Sequence, residues 1–520
     1  MRLSQRLNTL IFKSKNSLSY FNIWLIFSLV TIGMFILWYP MGASMSFLFF
    51  DTGAGLKADY LFSQGYIPTV DFSYVYGLLP LSIAHIWYKI FGRTPQVFWA
   101  LVLIFKLLSV YTLAKIAYLA NLKTLGVIFL AIAIPFSFFC NYNINLTHAI
   151  EPFFICLALS EQLAGRKKYA LVVLIFSIFT KASLSYFYIF LLLILYSIDL
   201  LKHKRNILDT IYQMIPASVT FLAMSFWIII NYGLTALIHS LIPLQAAKDY
   251  KQPEFGFFGG GGKGFFAPPG MKFSYYIGTG VSLWVILSIV LLISSILLYL
   301  KIIKNNTNGD IVRIAEVQIT TLLLHLGFII FFFGHNSSWC YYVYLLPIGC
   351  SLLASRALPE FKININRNIL LVGLSICVII GYDLVFFKIY HQIWIESKSE
   401  KTLVSLWFNK EEKKDFLELL QSCKTKNTLI YSPGAIDLFF PSCHMASAWY
   451  PKNSSLLNDQ DIARINRQFD EAEEVITPLD SLASLLKIDS MKENFAKFEL
   501  DHKNKNFTYL KRVSNPSKIN

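Results

Sequence analysis

The chain has 520 residues, of which 55% are hydrophobic, 16% aromatic and only 15% charged, with a formal net charge of +15. Soluble domains carry about 25% charged residues, so water cannot solvate most of this chain and lipid must. Nucleic acid is excluded as the reason for the basic excess, because Lys and Arg fall between hydrophobic runs, where they orient a membrane protein.

The first apolar run, 21–40, is followed by no small-residue cleavage site and reads as an uncleaved anchor. Runs near the length of a span, about 20 residues, recur at 96–120, 124–140, 147–164, 169–183, 184–200, 211–231, 275–301, 316–334, 339–355 and 369–388. The chain is therefore predicted to be an α-helical polytopic membrane protein of about eleven spans. With Arg2, Arg6, Lys13 and Lys15 in the cytoplasm, the alternate loops are basic throughout. They carry Lys123, then Arg166, Lys167 and Lys168, then Lys202, Lys204 and Arg205, then Lys301, Lys304 and Arg313, then Arg356, Lys362 and Arg367. The short opposite loops at 141–146 and 335–338 have no Lys or Arg, as the positive-inside bias requires. This predicts a cytoplasmic N-terminus in a plasma or inner membrane, with loops 41–95 and 232–274 and the tail 389–520 outside.

Residues 1–388 thus form a membrane module, and residues 389–520 a small extracytoplasmic α/β domain. In the tail, 427–432 is a β-rich run ending in the turn pair Pro433-Gly434, and 474–478 and 507–513 read as further strands. The seven cysteines show no metal-ligand spacing, and Cys423 and Cys443 could pair in an oxidising compartment. No cofactor or metal is indicated, although the sequence leaves a divalent cation open.

Loop 41–95 is the most informative segment. Asp51 follows an aromatic run at 47–50, where partial desolvation makes a carboxylate a better base. By itself, such a residue more often simply ends a span. Downstream come Gly65-x-x-Pro68-x-x-Asp71-Phe72, then Gly77 and Pro80, then an amphipathic stretch from Leu81 to Phe91 closed by Gly92. Glu151 precedes Pro152 at the outer start of a span, three residues after His148, and a carboxylate within a span is costly and leans functional. Thr180-Lys181 lies between two short apolar runs, where Lys181 serves equally well to snorkel to the interface or to bind phosphate. His335 and the aromatic stretch Tyr341, Tyr342 and Pro347 open a late span. Interface histidines and aromatic belts supply an ordinary explanation for His148, His335, Tyr341 and Tyr342.

In this order the segments resemble the GT-C superfamily of membrane glycosyltransferases, in particular aminoarabinose transferases and protein O-mannosyltransferases. That family has an acidic residue after the first span, two interfacial helices joined by a Gly-x-x-Pro-x-x-Asp-Phe segment, an acidic-residue-plus-Pro pair, a Thr-Lys turn and an aromatic-Leu-Pro opening. The chain departs from it at Thr52, where many members have a second carboxylate, and at Ala54, where aminoarabinose transferases have Arg.

The resemblance implies an inverting glycosyltransferase that moves a sugar from a polyprenyl-phosphate donor to a lipid, glycan or protein acceptor. It further implies Asp51 as base, with Glu151 and Asp71 sharing or orienting the acceptor. Lys57, Lys181 and His335 become candidates for the donor phosphate, and His148, Tyr341 and Tyr342 for the pocket around donor and acceptor.

Two other readings compete. A polysaccharide polymerase or ligase would place its key residues on mid-chain basic positions such as Lys248, Lys251 and Lys263. A transporter would carry ionisable groups mid-bilayer in repeated broken helices. The run 259–264 is not a phosphate loop, because Phe257 and Gly264 stand where such a loop needs Gly and Ser or Thr. A flexible outer loop that covers the site is the better expectation for 232–274.

Overall fold

The computed structural model describes most of residues 20–122, 146–242, 289–300, 309–332 and 344–357, with helical turns between 126 and 134. In the tail it describes chiefly 427–431, 444–445, 459–478, 489–504 and 507–513. His335, Tyr341, Tyr342, Cys423, Cys443, the predicted span 369–388 and the segment 243–274 lie outside the described residues, and so does the side chain of Asp51.

The membrane module is helical. It begins with α1 (Tyr20–Leu48), α2 (Phe50–Ser63), α3 (Leu78–Phe91) and α4 (Pro95–Leu119). Then follow α5 (Leu146–Leu163), α6 (Lys167–Ile178), α7 (Ala182–His203) and α8 (Ile207–Leu241). After a helical stretch at 289–297 come α9 (Gly309–Phe332) and α10 (Leu345–Ala357). The first helix runs about two turns past the predicted span end at residue 40, through Pro40. Two helices stand where the resemblance foresaw a pair, as α2 and α3. Gly92, at φ 84 and ψ 157, ends α3 by donating its N–H to Tyr88 O, in a conformation that a β-carbon would strain.

Two of the described helices, Val97–Leu119 and Ile211–Leu241, are long and apolar enough to cross a membrane. On α8 the outward stripe is Ile211, Ile215, Val219, Leu222, Phe226 and Ile230, at helical spacing, and Leu222, Phe226 and Ile230 are each 65–66% exposed. A helix that displays its apolar stripe outward is solvated by hydrocarbon, not by water. Inside, α4 lies between α1 and α5, and α5 packs on α6. Among α4–α7 the buried apolar side chains include Trp99, Leu113, Ile150, Leu159, Leu174 and Leu192.

The two ends of this bundle differ in charge. Glu161, near the end of α5, receives Lys115 Nζ at 2.6 Å and Arg166 Nε at 2.6 Å, and Lys167 pairs with Glu316 at 3.2 Å. Arg313 lies against Gly165 at the same end. Glu151 is ten residues earlier on α5, about 15 Å away along the axis.

The tail holds a five-stranded mixed sheet in the order β2-β1-β3-β5-β4. The strands are β1 (Thr428–Ile430), β2 (His444–Met445), β3 (Glu474–Pro478), β4 (Phe498–Lys503) and β5 (Phe507–Arg512). β1 is parallel to β2 and β3, whereas β5 is antiparallel to β3 and β4. Strand alternation divides the side chains between two faces. Leu429, Tyr431, Val475 and Leu510 pack under α11 (Asp459–Glu471) and α12 (Asp489–Phe495), with Ile465, Phe469 and Phe495. Ile430, Ile476, Phe507 and Tyr509 point the other way and join the core of the membrane module. All three expected strands are present, with two more beside them.

Candidate functional site

The site is assembled where α2 hands over to α3. Residues 64–72 form a tight turn in which Asp71 Oδ2 accepts the Ile67 N–H at 2.6 Å and the Asp71 N–H bonds to Ile67 O at 2.8 Å. Thr69 donates its N–H to Phe72 O at 2.8 Å and sits at φ 68, where a β-branched residue is strained. Gly65, at φ 93, begins the turn. Asp71 therefore holds the loop in shape.

The chain then meets the break between α6 and α7. Gly77 N–H donates to Thr180 O at 3.1 Å and Leu79 N–H to Phe179 O at 3.0 Å. A β-carbon on Gly77 would fall 2.0 Å from Phe179 O, so only glycine permits this seam. The break is itself well made. Lys181 N–H reaches back to Ser177 O at 2.8 Å, and Ser185 Oγ bridges to Ser177 Oγ at 2.7 Å. The near-continuous apolar sequence around Lys181 is thus two helices with a turn at 179–181.

Under the seam lies the start of α5. Glu151 is buried, and its Oε2 stands 3.9 Å from Lys181 Nζ. This is an ion pair at the limit of contact and not a direct hydrogen bond. The His148 ring meets the Tyr76 ring edge-on, with centroids 5.8 Å apart. Pro152 lies inside α5 and cannot donate to the carbonyl four residues back, which releases the His148 carbonyl from the helix ladder. Tyr344, just ahead of α10, is buried within electrostatic reach of Cys156 and Glu151. Among the described residues its hydroxyl has no hydrogen-bond partner.

The structure therefore pairs Glu151 with Lys181 and sets Tyr76 of the first loop against His148. Asp71 lies five residues before Tyr76 in that loop, and its own contacts are with Ile67 and Gln460. Asp51 lies in the first turn of α2, at the opposite end of that helix from the 64–72 turn. Lys57 is fully buried on the same helix, at 0% exposure, so it does not line an open surface.

Sequence reasoning missed Asp59. It is fully buried between a histidine and an arginine, with His85 Nδ1 at 2.8 Å from Oδ1 and Arg93 Nε at 2.6 Å from Oδ2. This triad ties α2 to α3 and to the segment after it. Beside it, the Phe62 ring stands 4.7 Å from His85 and 5.1 Å from Tyr232, and Tyr232 shares a hydrogen bond with Ser82. Tyr344 was legible only as part of the aromatic-Leu-Pro stretch. Among the described residues, no group of three His, Cys, Asp or Glu side chains is placed to hold a metal ion.

No protein-family model and no curated protein sequence matches the chain. Among solved structures, it is similar to ArnT from Cupriavidus metallidurans bound to undecaprenyl phosphate. The identity is 10%, the TM-score is 0.44, and the match covers 94% of this chain and 98% of that one. The apo state of the same protein gives 11% identity, a TM-score of 0.43 and coverage of 93% and 98%.

Proposed function

We propose that this chain is an inverting glycosyltransferase of the extracytoplasmic membrane face, taking a sugar from a polyprenyl-phosphate donor. The observation that carries the reading is the seam at Gly77. It sets the first loop against the Thr180-Lys181 turn, directly over the buried Glu151–Lys181 pair. A carboxylate and a cation held in apolar surroundings, at the end of a lipid-facing bundle, suit a donor whose tail stays in hydrocarbon while its sugar phosphate sits at the interface.

In the reaction, an acceptor hydroxyl of a lipid, glycan or protein gives its proton to the Asp51 carboxylate. The hydroxyl oxygen bonds to the anomeric carbon as the bond from that carbon to the phosphate oxygen breaks. The lipid phosphate leaves with the electron pair, and the configuration inverts. Lys181 offsets the charge that develops on the phosphate, and Glu151 holds Lys181 in place. Lys57 and His335 are secondary candidates for the phosphate, and His148, Tyr341 and Tyr342 for the walls of the pocket.

The test is transfer of radiolabel from a panel of undecaprenyl-phosphate-linked sugars to an envelope lipid and glycan fraction in proteoliposomes. At least one donor should be consumed in a time-dependent way, leaving free undecaprenyl phosphate. Failure of every donor, together with absence of undecaprenyl phosphate binding, overturns the reading.

A further inference from the structure

The tail domain touches the first loop at its strained turn. With its amide nitrogen facing the loop, Gln460 at the start of α11 donates to Val70 O at 3.2 Å and to Asp71 Oδ1 at 2.8 Å. One turn on, the Arg464 guanidinium lies over the Tyr66 ring, 5.9 Å from its centroid, and the Arg464 side chain is buried. Asp71 thus spends one oxygen on the loop's own Ile67 N–H and receives Gln460 on the other. We propose that α11 is a clamp on the site loop, with Gln460 and Arg464 as positioning residues that hold the 65–72 turn in the form needed for the Gly77–Thr180 seam.

Three features of the geometry support this. Thr69 sits at φ 68, a conformation that persists only when surroundings over-determine it. The loop's own restraint there is the set of bonds among Ile67, Thr69, Asp71 and Phe72, and Gln460 and Arg464 brace both ends of that set. The sheet beneath α11 is anchored in turn, because Ile430, Ile476, Phe507 and Tyr509 pack into the membrane core. A path therefore runs from tail core to α11, from α11 to the turn, and along the chain from the turn to Gly77 and Leu79, which bond to Thr180 and Phe179. That the clamp matters for sugar transfer rests on the function proposed above; that it holds the loop does not.

The experiment is hydrogen exchange on the full-length protein in nanodiscs, comparing wild type with Gln460→Ala, Arg464→Ala, Asp71→Asn and the Gln460→Ala/Asp71→Asn double variant. Loss of the Gln460 or Arg464 contact should speed exchange of peptides covering 65–72 and 77–79 by about fivefold. Peptides from β4 and β5 should be unchanged, which separates loss of docking from unfolding of the tail. The double variant should exchange little faster than the faster single one, because both changes break the same contact.

In the transfer assay, Gln460→Ala should lower kcat about fivefold and leave the donor KM within about twofold, since it moves a loop and removes no donor contact. Unchanged exchange at 65–79 in both Gln460→Ala and Arg464→Ala, or additive effects in the double variant, overturns the clamp. Faster exchange with unchanged kcat overturns its coupling to the site. If wild type transfers from no donor, the glycosyltransferase reading fails and the exchange arms alone decide the clamp.

Discussion

At the residue scale, two aspartates eight positions apart on α2 have opposite expected behaviour. Asp51 opens the helix ahead of the site loop, and its proposed work is to accept a proton. Asp51→Asn keeps the shape and removes that capacity. It should insert and melt like wild type and lose transfer by about two orders of magnitude, the usual contribution of a positioned base. Near-wild-type transfer would leave Asp51 as the end of a span and shift the base to Glu151. Asp59 has no motif match, and its sequence alone predicts that Asp59→Asn is mild. The structure reverses that expectation, because Asp59 is fully buried between His85 and Arg93. An amide has one acceptor oxygen where the carboxylate has two and cannot balance the Arg93 guanidinium, so Asp59→Asn should lower unfolding stability by about 1–3 kcal/mol. A melting curve in detergent, read beside that of Asp51→Asn, separates the two roles.

At the scale of elements, the seam between the first loop and the α6–α7 turn is held by backbone hydrogen bonds and one glycine. Gly77→Ala would set a β-carbon against the backbone oxygen of Phe179, which no side-chain rotation can relieve. The segment before α3 must then lift. A displacement of about 1 Å in a positioned site costs about 100-fold in rate, and transfer by Gly77→Ala should fall by that order. Gly55→Ala is the control, because a β-carbon there meets nothing within 4 Å on the same α2 helix, and its activity should hold.

The tail has its own pH-dependent tie. His502 on β4 donates to Glu418 Oε1 at 2.7 Å and to Asp501 Oδ2 at 2.9 Å, and it stacks on Tyr509. Partial burial by itself lowers the pKa of the imidazole, but the two carboxylates outweigh it and hold the value above the ordinary 6.5. A raised value stabilises the fold fully below pH 6.5, and the gain is lost as pH rises through the folded-state pKa. Thermal unfolding of wild type against His502→Gln should therefore differ in mildly acidic buffer and converge in alkaline buffer. A gap that widens with pH would contradict the pairing.

At the scale of the whole molecule, sidedness is the property on which the functional reading stands. The contact of Gln460 and Arg464 with residues 66–71 puts the tail and the first loop at one end of the bundle. Lys115, Arg166, Lys167 and Arg313 gather around Glu161, Glu316 and Gly165 at the other. With the basic end cytoplasmic, single cysteines at the exposed positions Ser63 and Glu499 should react with an impermeant maleimide in intact cells. A cysteine at Lys168 should react only after permeabilisation. Cytoplasmic labelling at Ser63 would place the loop on the wrong face for a lipid-linked sugar and would end the glycosyltransferase reading.

What the sequence determined by itself was whatever depends on local pattern. Runs of apolar residues gave the helices of the membrane module, because in hydrocarbon only a helix satisfies its own backbone. Gly92 marked the end of α3, whose start at Leu78 lies three residues ahead of the expected Leu81, and β-rich runs marked β1, β3 and β5. The strand β4 escaped notice because Glu499, Asp501, His502 and Lys503 read as loop; on an edge strand such charges are ordinary. The sequence could also name His148, Glu151, Lys181 and Asp71 one by one.

Only the tertiary structure decided which of them meet. A carboxylate at 151 and a lysine at 181 become a pair because α5 and α6 pack side by side and α6 stops at Phe179. Asp59 becomes structural because α2 and α3 fold back on each other. Asp71 becomes a junction because a helix almost 400 residues further along the chain comes to rest on it. Pairing energies depend on distance and burial between elements, and no local period in the sequence encodes either.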